Sequence, residues 1–287
     1  MEEQTEGSAF THNWVAFKVT RAATPGVAVV HLSGPGRGNM MGLAFWAELP
    51  HLFGALDADD SVRAVVLAGE GKNFSTGLDV QEVLGSWLGK LGPGAPAQAA
   101  HRSELLTIIR SLQDSVTSLA NCRKPVIAAV HGWCIGGGVD LISAADVRLA
   151  SLDARFSIRE ARLAIVADVG SLQRLRGIIG EGQLRELALT AKDIDAPRAE
   201  KIGLVNDVFA DQAALMVAAL KMAGEMAANS PLAVAGTKMV LNEDREENIA
   251  RGLRHVALWN SSFLHSEDLI EAVTALGEGR AGVFHGR

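Results

Sequence analysis

Three carboxylates and two glycine-rich turns are the residues of this chain whose types and spacing suit chemistry. Asp140, Glu160 and Asp168 lie close together in sequence, and Glu160 and Asp168 flank the apolar segment ARLAIVA, which would bury both. Carboxylates in an apolar setting work as general acid and general base, because burial and mutual repulsion spread their pKa values. Each also has a plain structural reading. Asp140 falls in the first turn of an expected helix, where the macrodipole favours negative charge. Asp168 precedes an apolar helix, as an N-cap does, and Glu160 is placed to pair with Arg159 or Arg162.

The turns are Asn73-Phe-Ser-Thr-Gly77-Leu78-Asp79 and Gly132-Trp-Cys-Ile-Gly136-Gly137-Gly138-Val-Asp140. Each follows an apolar strand-like run, and glycine there permits positive φ and close approach by a ligand or another backbone. The first amides of a helix have no intrahelical partner. Two such turns side by side can aim two N–H groups at one oxygen, as an oxyanion hole does. Tight strand-to-helix packing with no ligand is the competing reading.

Other chemistries lack their patterns. GWCIGGGVD has no GK[ST], neither it nor GPGRGN completes GxGxxG, and HExxH and GxSxG are absent. No His or Cys pair has metal-ligand spacing, so no metal site is expected. His131, in an apolar run, reads as a hydrogen-bonded core histidine, and Arg123 and Lys124 as surface charges.

The elements that must position these groups follow from periodicity. Val27–Leu32, Val62–Ala68 and Val126–Val130 read as buried strands, with shorter ones at Val147–Ala150 and Phe156–Arg159. Helical spacing marks Leu43–Leu56, Asp79–Leu88, Ser103–Ala120, Val139–Asp146, Ser171–Ile179, Gly182–Thr190, Ala196–Ile202, Gln212–Ala228, Pro231–Arg251 and Ser266–Leu276. Gly89–Ala100 is the most loop-like stretch, of a length that is often functional. Strands alternate with helices and then helices alone follow, which gives an α/β class. Residues 1–13 read as a flexible tail, 14–228 as the core and 229–287 as a helical assembly region.

With 287 residues, 48% hydrophobic and 21% charged, the chain is globular rather than disordered. A net charge of −6 argues against a nucleic-acid partner. The longest charge-free stretch considered, Val126–Val139, is short and holds His131 and four glycines, so no membrane span is expected. Two cysteines in no CxxC pattern, an acidic start (MEEQTEGSAF) and an ending (VFHGR) that is not a peroxisomal tripeptide lead to a cytoplasmic expectation.

Lys124-Pro-Val-Ile-Ala-Ala-Val-His-Gly-Trp-Cys-Ile-Gly-Gly-Gly-Val-Asp-Leu141 resembles the signature of the crotonase (enoyl-CoA hydratase/isomerase) superfamily, and Phe74-Ser-Thr-Gly-Leu-Asp79 its other glycine turn. The resemblance runs from about Val27 to Phe284. It implies a core of repeated ββα units, a C-terminal helical region that builds trimers or hexamers, and acyl-CoA thioester substrates. Coenzyme A would be part of the substrate, with no separate cofactor.

Carried over by motif, the oxyanion-hole amides fall on Leu78 and Gly137, with Gly77, Asp79 and Gly136 around the substrate. Hydratases of the superfamily are expected to carry glutamates at positions 140 and 160 and a small residue at 168. Asp140, Glu160 and Asp168 are instead similar to the Δ3,5-Δ2,4-dienoyl-CoA isomerases of fatty-acid β-oxidation. The resemblance implies Asp168 as the C2 base, Glu160 as the C6 acid and Asp140 as their tuner. Where the family often presents an aromatic residue and a lysine to CoA, this chain reads Thr274-Ala-Leu-Gly-Glu-Gly-Arg280, so Arg280 is the remaining substrate-binding candidate. The alternatives are an enoyl-CoA hydratase or other crotonase-type acyl-CoA lyase, and a catalytically silent acyl-CoA-binding scaffold.

Overall fold

The computed structural model describes residues 8–34, 38–83 and 98–287. The expected tail before residue 8, part of the 33–38 loop, the helix beyond Val83 and residues 89–97 of the glycine-rich loop lie outside the described residues. Residues 98–100, expected as loop, are helical. Ser8–Asn13 are not a frayed end: Ala9 is buried, and its carbonyl accepts the Trp14 indole N–H.

The strands are β1 (Phe17–Arg21), β2 (Val27–Leu32), β3 (Ala64–Gly69), β4 (Val126–Val130), β5 (Trp133–Ile135), β6 (Val147–Ser151), β7 (Arg155–Ser157), β8 (Ile194–Asp195) and β9 (Asp207–Phe209). The helices are α1 (Leu43–Ala58), α2 (Gln98–Asn121), α3 (Gly137–Ala144), α4 (Ser171–Arg174), α5 (Glu181–Thr190), α6 (Ala196–Lys201), α7 (Gln212–Ala228), α8 (Pro231–Phe263) and α9 (Glu267–Glu278).

One sheet has the order β1-β2-β3-β4-β6-β9 and is parallel from β2 to β9, with β1 antiparallel at its edge. A small sheet runs β5-β7-β8. Each central strand is followed by a short piece that joins the second layer: β4 by β5, β6 by β7, and β3 by Ser75, which bridges Cys134. This is the repeated ββα unit.

The central strands are continuous apolar runs because both faces are covered. On β3, Val65 and Leu67 face the cluster that includes Phe45, Leu49, Phe53 and Phe156. Their neighbours Ala64, Val66 and Ala68 face Leu215, Ala219 and Ala223 of α7. Each fully buried side chain of Val or Leu size contributes about 1.5–3 kcal/mol.

The sequence pattern missed β1, which buries little more than Phe17, and the very short β8 and β9. It also stopped α8 at Arg251, before Gly252. The helix continues through Gly252 to Phe263, and Gly252 makes room for Gln173: a Cβ there would meet its Cγ at 2.8 Å. The helical region folds back on the core. Buried Lys238 donates to Lys124 O at 3.1 Å and to Asp146 Oδ2 at 2.8 Å. Arg123 is a surface charge, paired with Asp57. Among the described residues no helix is long and apolar enough to cross a membrane.

Candidate active site

Strand pairing aligns the two glycine turns. Ser75 N donates to Trp133 O and Ile135 N to Ser75 O, both at 3.0 Å. Moving on from this pairing, both chains turn through glycine, at Gly77 (φ +85°) and Gly136 (φ +51°). A Cβ on Gly77 would sit 2.6 Å from Ile135 O and 3.4 Å from Gly137 N. One on Gly137 would meet Met41 Sδ at 2.8 Å and approach Leu78 N at 3.8 Å. The amides of Leu78 and Gly137 thus border one small gap, and neither N–H donates to a protein acceptor among the described residues. Gly137 opens α3, so its N–H has no intrahelical partner. This is the geometry of two preorganised donors.

The gap opens on a cavity of about 480 Å3. Its lining includes Gly77, Leu78, Asp79, Gly136 and Gly137, together with Asp140, Glu160 and Asp168. Trp46, Leu112, Leu163, Ile165, Val169 and Leu276 make much of the rest apolar. Asp79 spends its Oδ1 on the N–H of Glu82, as a helix cap. Arg280 does not line the cavity: Glu271 and Glu278 hold it in exposed ion pairs. The substrate contact expected of Arg280 is therefore not assembled in this chain, and Leu276 is the α9 residue that reaches the cavity wall.

The carboxylates reach the cavity from separate elements. Asp140 is buried in α3, and its Oδ1 accepts the Ser171 N–H at 2.5 Å. Glu160 begins a 3-10 turn, Glu160–Leu163, and not a strand end. Arg159 pairs with Asp193 instead of Glu160. Glu160 Oε2 is buried and without a hydrogen-bond partner among the described residues, while its Oε1 lies where a Cβ on Gly136 would be only 3.2 Å away. Asp168 is not a helix cap; α4 is preceded by Gly170, and Asp168 Oδ2 accepts from Asn260 Nδ2 at 2.7 Å.

Burial raises all three pKa values. Glu160 is pushed up to about 8, by desolvation first and then by the charges of Asp140 and Asp168. Asp168 rises to about 7, chiefly by desolvation, with the Asn260 hydrogen bond opposing. Asp140 rises to about 6 by desolvation, moderated by Ser171 and Arg174. Buried carboxylates with raised pKa values facing one cavity are groups suited to exchange protons with a bound substrate.

Asn260 and Gln113 were not found from the sequence. Gln113 Nε2 donates to Asp168 O at 2.7 Å and to Leu253 O at 3.0 Å. A signal existed for Asn260: it continues the buried stripe Leu253, Val256 and Ala257 at helical spacing, where an amide needs a partner. His131 is the hydrogen-bonded core histidine expected, with Nε2 3.0 Å from Gly71 O.

The family model for enoyl-CoA hydratase/isomerase matches residues 22–287. The chain is 43% identical over 263 residues to the mitochondrial Delta(3,5)-Delta(2,4)-dienoyl-CoA isomerase of Dictyostelium discoideum, covering 90% of this chain and 87% of that protein. It is 43% identical over 250 residues to the peroxisomal isomerase of the same name from Arabidopsis thaliana, covering 86% and 89%. An enoyl-CoA hydratase/isomerase structure from Mycobacterium paratuberculosis superposes with a TM-score of 0.77 at 27% identity, over 91% of this chain and 98% of that one. The cytoplasmic expectation is corrected by these relatives, whose names place them in mitochondria and peroxisomes. It rested on missing targeting patterns, and a missing pattern does not locate a protein. The match over nearly the whole length and the shared fold make this chain a member of the enoyl-CoA hydratase/isomerase family, the crotonase superfamily.

Proposed function

We propose that this protein isomerises 3,5-dienoyl-CoA to 2,4-dienoyl-CoA. The observation that carries the reading is the cavity itself: two amides at its rim with no partner among the described residues, and Glu160 and Asp168, with raised pKa values, in its wall. The similarity to two proteins named as dienoyl-CoA isomerases supports it.

In the proposed reaction Asp168 takes a proton from C2. The electron pair moves into the conjugated system and negative charge develops on the thioester oxygen. Leu78 N–H and Gly137 N–H bond that oxygen more strongly than the ground-state carbonyl, which is where such donors lower a barrier. Glu160 delivers its proton to C6, and the double bonds shift to C2 and C4. One proton leaves and one arrives, so the step needs no metal or redox cofactor; coenzyme A enters as part of the substrate. Asp140 tunes the pair, since its charge raises both neighbours.

Exposed Leu232, Met239, Val240, Leu241, Trp259 and Phe263 along α8 support assembly through the 229–287 region as a trimer or a pair of trimers. A single-chain mass in solution would contradict this. Degradation of unsaturated fatty acyl chains by β-oxidation is the proposed setting.

The test offers purified protein 3,5-dienoyl-CoA and, separately, a trans-2-enoyl-CoA, and follows hydration and the absorbance of a diene conjugated with the thioester carbonyl. Conversion of the first substrate to the carbonyl-conjugated 2,4-diene is expected. Hydration of the second with no 2,4-diene from the first would make the protein a hydratase, and thioester binding without either reaction a silent scaffold.

A further inference from the structure

Asp168 is held from behind by an element distant in sequence. The Asn260 side chain on α8 donates through Nδ2 to Asp168 Oδ2 at 2.7 Å and to Val166 O at 2.8 Å. One NH2 group thus ties two points either side of Ala167. Asn260 is 1% exposed, and an asparagine in a helix interior is disfavoured unless its amide finds partners. The segment it ties leaves a left-handed Ala164 (φ 55°) and turns into α4 at Gly170 (φ +140°), so local backbone preference does not fix it. Asn260 engages Oδ2 of Asp168, and Asp168 borders the cavity.

We propose that Asn260 is a positioning residue for this reaction, anchoring one oxygen of Asp168 so that the other, Oδ1, meets the substrate proton. The proposal rests on Asp168 being the base. It makes α8 part of the active site as well as a packing element.

A donor to a carboxylate also stabilises its charged form, and the Asn260 bond does lower the Asp168 pKa against the burial that raises it. The groups facing Asp168 are Asp140 from α3 and Glu160 from the 3-10 turn, both acidic, with Arg174 of α4 acting on Asp140. Helix α2 presents the neutral Gln113, and α8 presents Asn260. Removing the amide leaves Asp168 among acids, with its own backbone N–H as the remaining donor to its carboxylate.

The experiment measures kcat/KM on 3,5-dienoyl-CoA against pH for wild type, Asn260→Ala, the isosteric Asn260→Asp and Asp168→Asn. The acidic limb should move up by about one pH unit in Asn260→Ala, the size of one hydrogen bond to a charged group. It should move further in Asn260→Asp, where two carboxylates share a site. Because Glu160 must keep the proton that it loses above about pH 8, the raised limb should narrow the bell and lower its maximum, more in Asn260→Asp than in Asn260→Ala. If Asp168→Asn is inactive while both Asn260 variants keep the wild-type limb, with only kcat or melting temperature reduced, Asn260 merely packs α8 and the proposal is overturned alone. If Asp168→Asn stays active, the base assignment fails first and takes the proposal with it.

Discussion

The cavity wall that carries Leu78 and Gly137 is main chain, whereas the wall that carries Asp140, Glu160 and Asp168 is side chain. The first is set by local structure: two glycine turns follow two adjacent strands and are stitched together by the hydrogen bonds between Ser75 and β5. The second gathers residues from α3, a 3-10 turn and the loop before α4, and α8 completes it through Asn260. Backbone donors tolerate many side chains at their own position but few where a Cβ would enter. Carboxylates depend instead on burial and on each other.

That contrast predicts different ways to break the two walls. On the main-chain wall the largest effect is expected from Gly77→Ala. The new Cβ would lie 2.6 Å from Ile135 O in a residue with φ +85°, so the turn must move and carry the Leu78 amide with it. Losing one donor of this kind costs about 10²–10³ in kcat. Turnover on 3,5-dienoyl-CoA measures it, and a wild-type kcat would show that the donor pair is unused.

A smaller, opposite effect is expected on the other wall, where neutralising a carboxylate should stabilise. The folded-state pKa of Glu160 is raised from 4.5 to about 8, so the unfolded chain gives up this proton more readily. The stability is fully present below about pH 4.5 and is lost as pH rises through about 8. Asp168 and Asp140 act in the same direction up to about 7 and about 6. Glu160→Gln should therefore match wild type in melting temperature near pH 4 and exceed it at pH 9. Equal melting temperatures at pH 9 would mean that Glu160 is solvated.

The same contrast explains what the sequence makes legible. The strands β2, β3 and β4 and the two glycine turns announce themselves, because uninterrupted β-branched runs and glycines that require positive φ are local signals. The three carboxylates are legible as candidates, and the family resemblance assigns their roles. Their partners are not legible. Pairing of Glu160 with Arg159 or Arg162, and capping by Asp168, are what neighbours in sequence suggest, yet Arg159 turns to Asp193 and Asp168 to Asn260. The helical stretch read from the sequence ends at Arg251 and so leaves out Asn260; Gly252, just beyond it, is accounted for by a tertiary contact with Gln173. Arg280 fails as a site residue for the same reason: its acidic partners Glu271 and Glu278 capture it.

The division of labour between Asp168 and Glu160 is tested most directly by solvent exchange. With 3,5-dienoyl-CoA in D2O, Glu160→Gln should form almost no 2,4-dienoyl-CoA but should still place deuterium at C2, because Asp168 can remove a proton and return a solvent one. Asp168→Asn should do neither. Exchange at C2 that survives in Asp168→Asn and vanishes in Glu160→Gln would contradict the assignment of base and acid.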